Sequence, residues 1–177
     1  MDDQQQEVKS TRRMGLGMVI AMWLLLIALL TYLFNNWEQQ QYNPNQALNQ
    51  QQYQDGVREV VLQRNRYGHY VTSGEINGQH VVFMLDTGAS DVSVPQQLAQ
   101  RLGLKAGATR HYQTAKGPAI GYATRLENIA IGDIQLSNIR ASINPNMNSQ
   151  EILLGMSFLK HIEFTQRGDS LTLRQTP

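Results

Sequence analysis

A chain of 177 residues has room for one ordinary domain and an appendage, and a formal net charge of +1 gives no strong field to draw in nucleic acid. It contains no cysteine, which excludes disulfides and thiolate metal sites. His69, His80, His111 and His161 lack the spacing of metal ligands, and the glycines form no phosphate loop or dinucleotide fingerprint, so neither metal nor cofactor is expected.

Residues 1–13 contain Lys9, Arg12 and Arg13 and lead into Met14–Phe34, an uncharged apolar run of 21 residues. At 1.5 Å per residue this is roughly enough to cross a ~30 Å hydrocarbon core, so residues 14–34 are expected to lie in the lipid bilayer as one transmembrane helix. The next basic residue is Arg58, so the positive-inside rule puts residues 1–13 in the cytoplasm and everything after Phe34 outside. Tyr32 and Trp37 suit the outer interface. A cleaved signal peptide is the competing reading, but its apolar region is usually shorter and ends at small residues. This run ends in "TYLFNNW". Residues 35–56 are dominated by Gln and Asn and read as a disordered tether, leaving residues 57–177 as the folded domain.

Within that domain Arg58–Asn65 is a first strand candidate, and "YVTSGEINGQHVVFML" gives two more around Asn77-Gly78, a dipeptide suited to a type I′ turn. "DVSVP" suggests a short strand. A short helix follows, with Ser93 and Gln96 at capping-box spacing, Pro95 in the first turn and Gly103 as the stop. Leu126–Ile131 and Ile134–Leu136 read as a hairpin across Gly132-Asp133, with Asn138–Ile143 as one more strand. "EILLGMSFL" is a strand, a glycine and a short helix; "RGD" is a turn before a terminal strand, Ser170–Arg174. The fold class is mostly β, a small closed barrel or sandwich with short helices.

The chemistry concentrates at "VVFMLDTGASDVSVP". Asp86 ends an apolar strand, where an ionised carboxylate is costly unless something pairs with it. Downstream, a second apolar-apolar-Gly element, Leu153-Leu154-Gly155, leads into a helix. The pairing resembles the retropepsin-type (single-lobe, clan AA) aspartic proteases, and "LDTGAS…VP…A..LGL…ILLGMSFL" is similar to their membrane-anchored bacterial members, over roughly Val71 to Arg174.

That resemblance implies an aspartic endopeptidase with Asp86 as the catalytic carboxylate. Thr87, Gly88, Ala89, Ser90, Leu154 and Gly155 would support the catalytic loop. Thr87 would hydrogen-bond across to a partner loop, and Gly155 would allow a neighbouring strand to pass close beneath. Aspartic proteases activate water with two carboxylates sharing one proton. Of the other candidates, Asp91 is too close in sequence to be an equivalent partner, and neither Asp133 nor Asp169 precedes Thr-Gly. The resemblance supplies the second acid from a homodimer, as Asp86 of another copy, with Arg58–Asn65 and Ser170–Arg174 interleaved in an intersubunit sheet.

It further implies a polypeptide substrate, a flap within His111–Ala123 with its tip near Lys116, Gly117 and Pro118, and Tyr112 and Tyr122 flanking the cleft. In bacteria the location would be the inner membrane, with the domain periplasmic. Viral members carry a supporting acid–arginine pair where this chain has Ser90 and Met156. The alternative reading is a catalytically weak or inactive dimerisation or binding module of the same fold, tethered to the membrane.

Overall fold

The computed structural model describes residues 2–52, 56–114 and 117–177. The chain forms two compact units, Met1–Gln40 and Gln41–Pro177.

The first unit is occupied by α1 (Asp2–Tyr42). Its segment Gly17–Tyr42, 26 residues containing an 18-residue window of mean hydropathy 2.4, is by length and composition able to cross a membrane. Leu24, Leu25, Ile27 and Leu30 are all exposed, and no polar face interrupts the apolar surface. The hydroxyl of Thr31 donates to the Ile27 carbonyl at 2.8 Å, so the helix satisfies its own polar side chain.

The second unit contains two sheets. The larger runs through β3 (Val71–Ile76), β4 (Gln79–Leu85), β9 (Glu151–Leu154), β5 (Val92–Pro95), β8 (Ile134–Asn144), β7 (Gly117–Ile131) and β6 (Thr109–Thr114). Pairing of β3 with β7, Ile76 opposite Ile129, closes the run from β3 to β7 into a barrel. The closure needs a glycine. A Cβ on Gly74 would collide with the Ala130 carbonyl and stand 2.7 Å from the Phe83 ring. Phe83, Ile76, Leu126, Ile131, Ile152, Leu154 and Phe158 fill the core. Asn77 and Gly78 both have positive φ, 51° and 75°, so the β3–β4 connection has the type I′ character expected of Asn-Gly.

The smaller sheet has the order β1 (Asn49–Gln52), β2 (Arg58–Gln63), β11 (Ser170–Gln175), β10 (Glu163–Arg167). Here β2 and β11 pair with each other inside one chain, Val60 opposite Leu173, and each has a further strand on its other side.

Other local expectations change as well. Pro95 is the N-cap residue of α2 (Gln96–Arg101), with no side-chain cap. Ser93 lies in β5 instead, its hydroxyl 3.9 Å from the Met147 sulfur, so the capping box does not form. Gly103, with φ of 67°, does follow the helix as its stop. The expected strand Asn138–Ile143 is continuous with its predecessor in β8. Asn138 adopts φ of 58° without breaking the register from Asn128–Ser137 to Leu126–Ile139. The segment expected to be a structureless tether, residues 35–56, carries order along much of its length: α1 runs to Tyr42, Asn43 and Asn45 are buried, and Asn49–Gln52 forms β1. The Asn45 amide donates to the Val71 and Gln63 carbonyls at 2.7 and 2.9 Å and accepts the Gln63 N–H at 2.6 Å. Composition argues against an apolar core there, but one asparagine can satisfy backbone groups where two strands end.

Candidate active site

Asp86 stands immediately after β4, half-buried. Its N–H donates to the Leu154 carbonyl at 3.2 Å, continuing the β4–β9 ladder in which Leu85 lies opposite Leu154. The chain then turns at once, the Ala89 N–H donating back to the Asp86 carbonyl at 3.2 Å. Within this turn the Gly88 N–H donates to Asp86 Oδ1 at 2.9 Å. Glycine is favoured there by close approach, since a Cβ would lie 3.2 Å from that same oxygen. A stiff apolar strand thus delivers the carboxylate, and one backbone donor orients it.

The β9–α3 junction underlies the turn, with Gly155 between β9 and α3 (Met156–Leu159). A Cβ on Gly155 would collide with the Asp91 carbonyl oxygen and lie 2.5 Å from that of Ala89. Glycine is required here by space. The Met156 and Ser157 N–H groups donate to the Ala89 and Ser90 carbonyls at 2.8 and 3.0 Å. Around Ser90 and Met156, neither of which can ionise, backbone hydrogen bonds join the two segments.

An ion pair lies one residue further on. Asp91 is a buried acid, its side chain 4% exposed, and Arg140 Nε donates to its Oδ1 at 2.7 Å. Arg110 Nη1 approaches Oδ2 at 3.7 Å, and the Tyr112 hydroxyl donates to Oδ2 at 3.3 Å. The Tyr112 ring packs on Gly121, where a Cβ would stand 3.1 Å from the ring edge. Ser157, also buried, accepts the Val92 N–H at 2.9 Å and donates to the Arg140 carbonyl at 2.7 Å, tying β5 to β8. These contacts make a polar cross-brace from four separate parts of the chain.

Above the turn lies a cleft of about 340 Å³, within the size range of ligand pockets. Asp86, Gly88, Ala89 and Ser90 form its floor, with Asp91 and Ser93 beside them; Tyr112, Ala119 and Gly121 of the β6–β7 hairpin also line it. Of the expected residues, Thr87 and Gly88 are exposed, while Leu154 and Gly155 are buried beneath. Lys116 lies outside the described residues. Gly117 and Pro118 pair with Thr114 and Gln113 toward the hairpin tip and do not line the cleft. Tyr112 does line it, whereas Tyr122 packs against the core. Sequence reasoning missed Asp91, Arg140 and Ser157 as one brace, for their partners are remote in the chain.

Residues 72–161 match the family described as "gag-polyprotein putative aspartyl protease". The chain is 36% identical over 124 residues to an uncharacterized protein of a Sinorhizobium species encoded in the cobV 5′ region, covering 68% of this chain and 53% of that protein. An uncharacterized protein of Rickettsia prowazekii (strain Madrid E) is 34% identical over 110 residues, covering 60% of this chain and 47% of its own. The chain thus spans about half the length of these curated relatives. A crystal structure of a retropepsin-like aspartic protease from Rickettsia conorii is similar with a TM-score of 0.58 at 32% identity, covering 72% of this chain and 95% of that one. The match across half the chain, together with the barrel and its Asp-Thr-Gly turn, shows that this chain belongs to the gag-polyprotein aspartyl protease family and has the retropepsin-like fold.

Proposed function

We propose that the chain is a membrane-anchored aspartic endopeptidase whose active site is completed by a second copy. The observation that carries this reading is the half-site: Asp86 opens onto a peptide-sized cleft, while Asp91, the other carboxylate of that cleft, is already engaged by Arg140 and Tyr112. The exposure of Thr87 and Gly88 beside Asp86 fits a surface that a twofold-related copy would cover. In the dimer, Asp86 and its counterpart share one proton. The ionised member accepts a proton from water as the water attacks the scissile carbonyl carbon, and the protonated member donates to the carbonyl oxygen. Collapse of the tetrahedral species returns a proton to the leaving amine. The substrate is a polypeptide bound extended beneath the β6–β7 hairpin, which acts as the flap.

Residues 14–34 form the single membrane span, with residues 1–13 cytoplasmic and the protease domain periplasmic in the bacterial inner membrane. Lys9, Arg12 and Arg13 before the span, with no basic residue after it until Arg58, support that orientation. The absence of native cysteine allows single cysteines placed at Gln6 and Asp133 to be probed with a membrane-impermeant maleimide. Labelling at Asp133 alone in spheroplasts is expected; labelling at Gln6 alone would reverse the topology.

Activity is tested with the full chain in detergent, incubated with a peptide library from about pH 4 to pH 7 alongside Asp86→Asn. Cleavage by the parent only, with specific activity rising as protein concentration is raised through the monomer–dimer transition, is the expected result. Equal cleavage by Asp86→Asn would sink the mechanism, and a fully active monomer would sink the shared site. Binding of peptides without cleavage by either protein would favour the non-catalytic module.

A further inference from the structure

Beside the cleft is a larger groove of about 490 Å³, with Lys105, Arg110, Arg125 and Arg140 among its walls. We propose that this groove is a subsite for an acidic side chain of the polypeptide substrate, a reading that rests on the protease function proposed above. Three observations point there.

The first is cross-strand register. Arg125 of β7 lies directly opposite Arg140 of β8, and like charges in that position destabilise a sheet unless an anion lies between or beside them. Arg110 of β6 pairs with Gly121, four residues before Arg125, so the alternation of strand side chains puts all three arginines on one sheet face. The second is incomplete neutralisation. Four cations meet two acids: Glu127 in the groove wall, and Asp91, which is buried behind it and shared by Arg110 and Arg140. The contacts of Arg125 are to the neutral carbonyl and side-chain oxygen of Asn138, at 3.0 and 2.7 Å. The Arg110 and Arg140 side chains remain 43% and 49% exposed, so their free N–H groups are open to a ligand.

The third observation is continuity. Asp91 lines the catalytic cleft, and its two arginine partners line the groove, so both spaces share one wall. β6 and β7 supply residues to both. An extended peptide leaving the cleft along this hairpin would bring a side chain several residues from the scissile bond onto the arginines. Guanidinium groups suit a carboxylate there, because they offer paired N–H donors in one plane. Concavity and the shared wall favour a substrate side chain over a membrane surface as the source of the anion.

The test uses the full chain in detergent, a proteome-derived peptide library, and the charge-reversal variants Lys105→Glu and Arg125→Glu, neither of which touches Asp86 or Asp91. The parent is expected to enrich Asp and Glu at one fixed position away from the cleaved bond, by about tenfold. Each variant should abolish or invert that preference while still cleaving neutral peptides, and raising salt should erode it in the parent. No acidic enrichment, or the same enrichment in both variants, would overturn the subsite, with loss of cleavage in Asp86→Asn leaving the protease reading intact.

If the parent cleaves nothing, the protease reading fails. The groove is then read by anisotropy of two labelled decapeptides that differ only in Glu against Gln. Tighter binding of the Glu peptide, lost in both variants, would sustain an acidic-peptide site; equal binding would overturn it. A groove that takes a soluble short-chain anionic phospholipid but does not tell the peptides apart is a headgroup site, and that outcome also overturns the proposal.

Discussion

Two aspartates five residues apart in the sequence have opposite environments. Asp86 is half-buried, faces the cleft and accepts the Gly88 N–H at 2.9 Å. Asp91 is almost wholly buried and held by Arg140 and the Tyr112 hydroxyl, with Arg110 close by. A buried charge is tolerable when paired and hydrogen-bonded, and Asp91 meets that condition within one chain. Among the described residues no arginine holds Asp86, whose carboxylate faces the cleft. The difference separates a carboxylate that fastens the barrel from one left available at its surface, although both lie in one short segment.

Substitution of each should break the comparison in a different way. Asp86→Asn is expected to lower kcat/KM for any cleaved peptide by about a thousandfold or more, with the thermal midpoint shifted by no more than about 2 °C. A matching loss of stability would mean that Asp86 is structural like Asp91. Gly155→Ala strikes beneath both acids, because its methyl would collide with the Asp91 carbonyl and lie 2.5 Å from that of Ala89. Overpacking against backbone leaves little room to relax, so a loss of about 3 kcal/mol is expected in urea unfolding, together with loss of cleavage. An unchanged midpoint would show that the β9–α3 junction moves freely under the turn.

The same contrast explains what the sequence disclosed. Asp86 was legible because its surroundings are local: an apolar strand, a Thr-Gly turn, and Leu-Leu-Gly as a second compact signal. The space requirement at Gly155 was legible for the same reason. Asp91 was not, since its meaning depends on Arg140 and Tyr112, placed beside it only once β8 and the β6–β7 hairpin have docked. Strand continuity failed at Asn138 because a residue that favours positive φ reads as a break, while the ladder carries on through it. The order around Asn45 was hidden by composition, which reports the lack of apolar residues but not a side-chain amide that completes the backbone hydrogen bonds of β2 and β3.

Asp91→Asn should cost less than Gly155→Ala, about 2 kcal/mol, with cleavage reduced about tenfold as the hairpin loses its fixed position over the cleft. The figure lies below that for a fully buried pair because Arg140 is 49% exposed and can be solvated when its partner is neutralised. A cleavage loss as deep as that of Asp86→Asn would place Asp91 in the chemistry itself.

The smallest effect is expected from Tyr112→Phe. It removes one hydroxyl whose 3.3 Å contact with Asp91 is long, while the ring stays packed on Gly121 and Arg140 still holds the acid. A stability loss of about 0.5 kcal/mol and a two- to threefold rise in KM are expected. The informative measurement is the double variant. If the hydroxyl acts only through Asp91, Tyr112→Phe should cost nothing further in the Asp91→Asn background. Equal costs in both backgrounds would mean that the hydroxyl serves the cleft directly, so that the hairpin contributes a substrate-binding group independent of the brace that positions it.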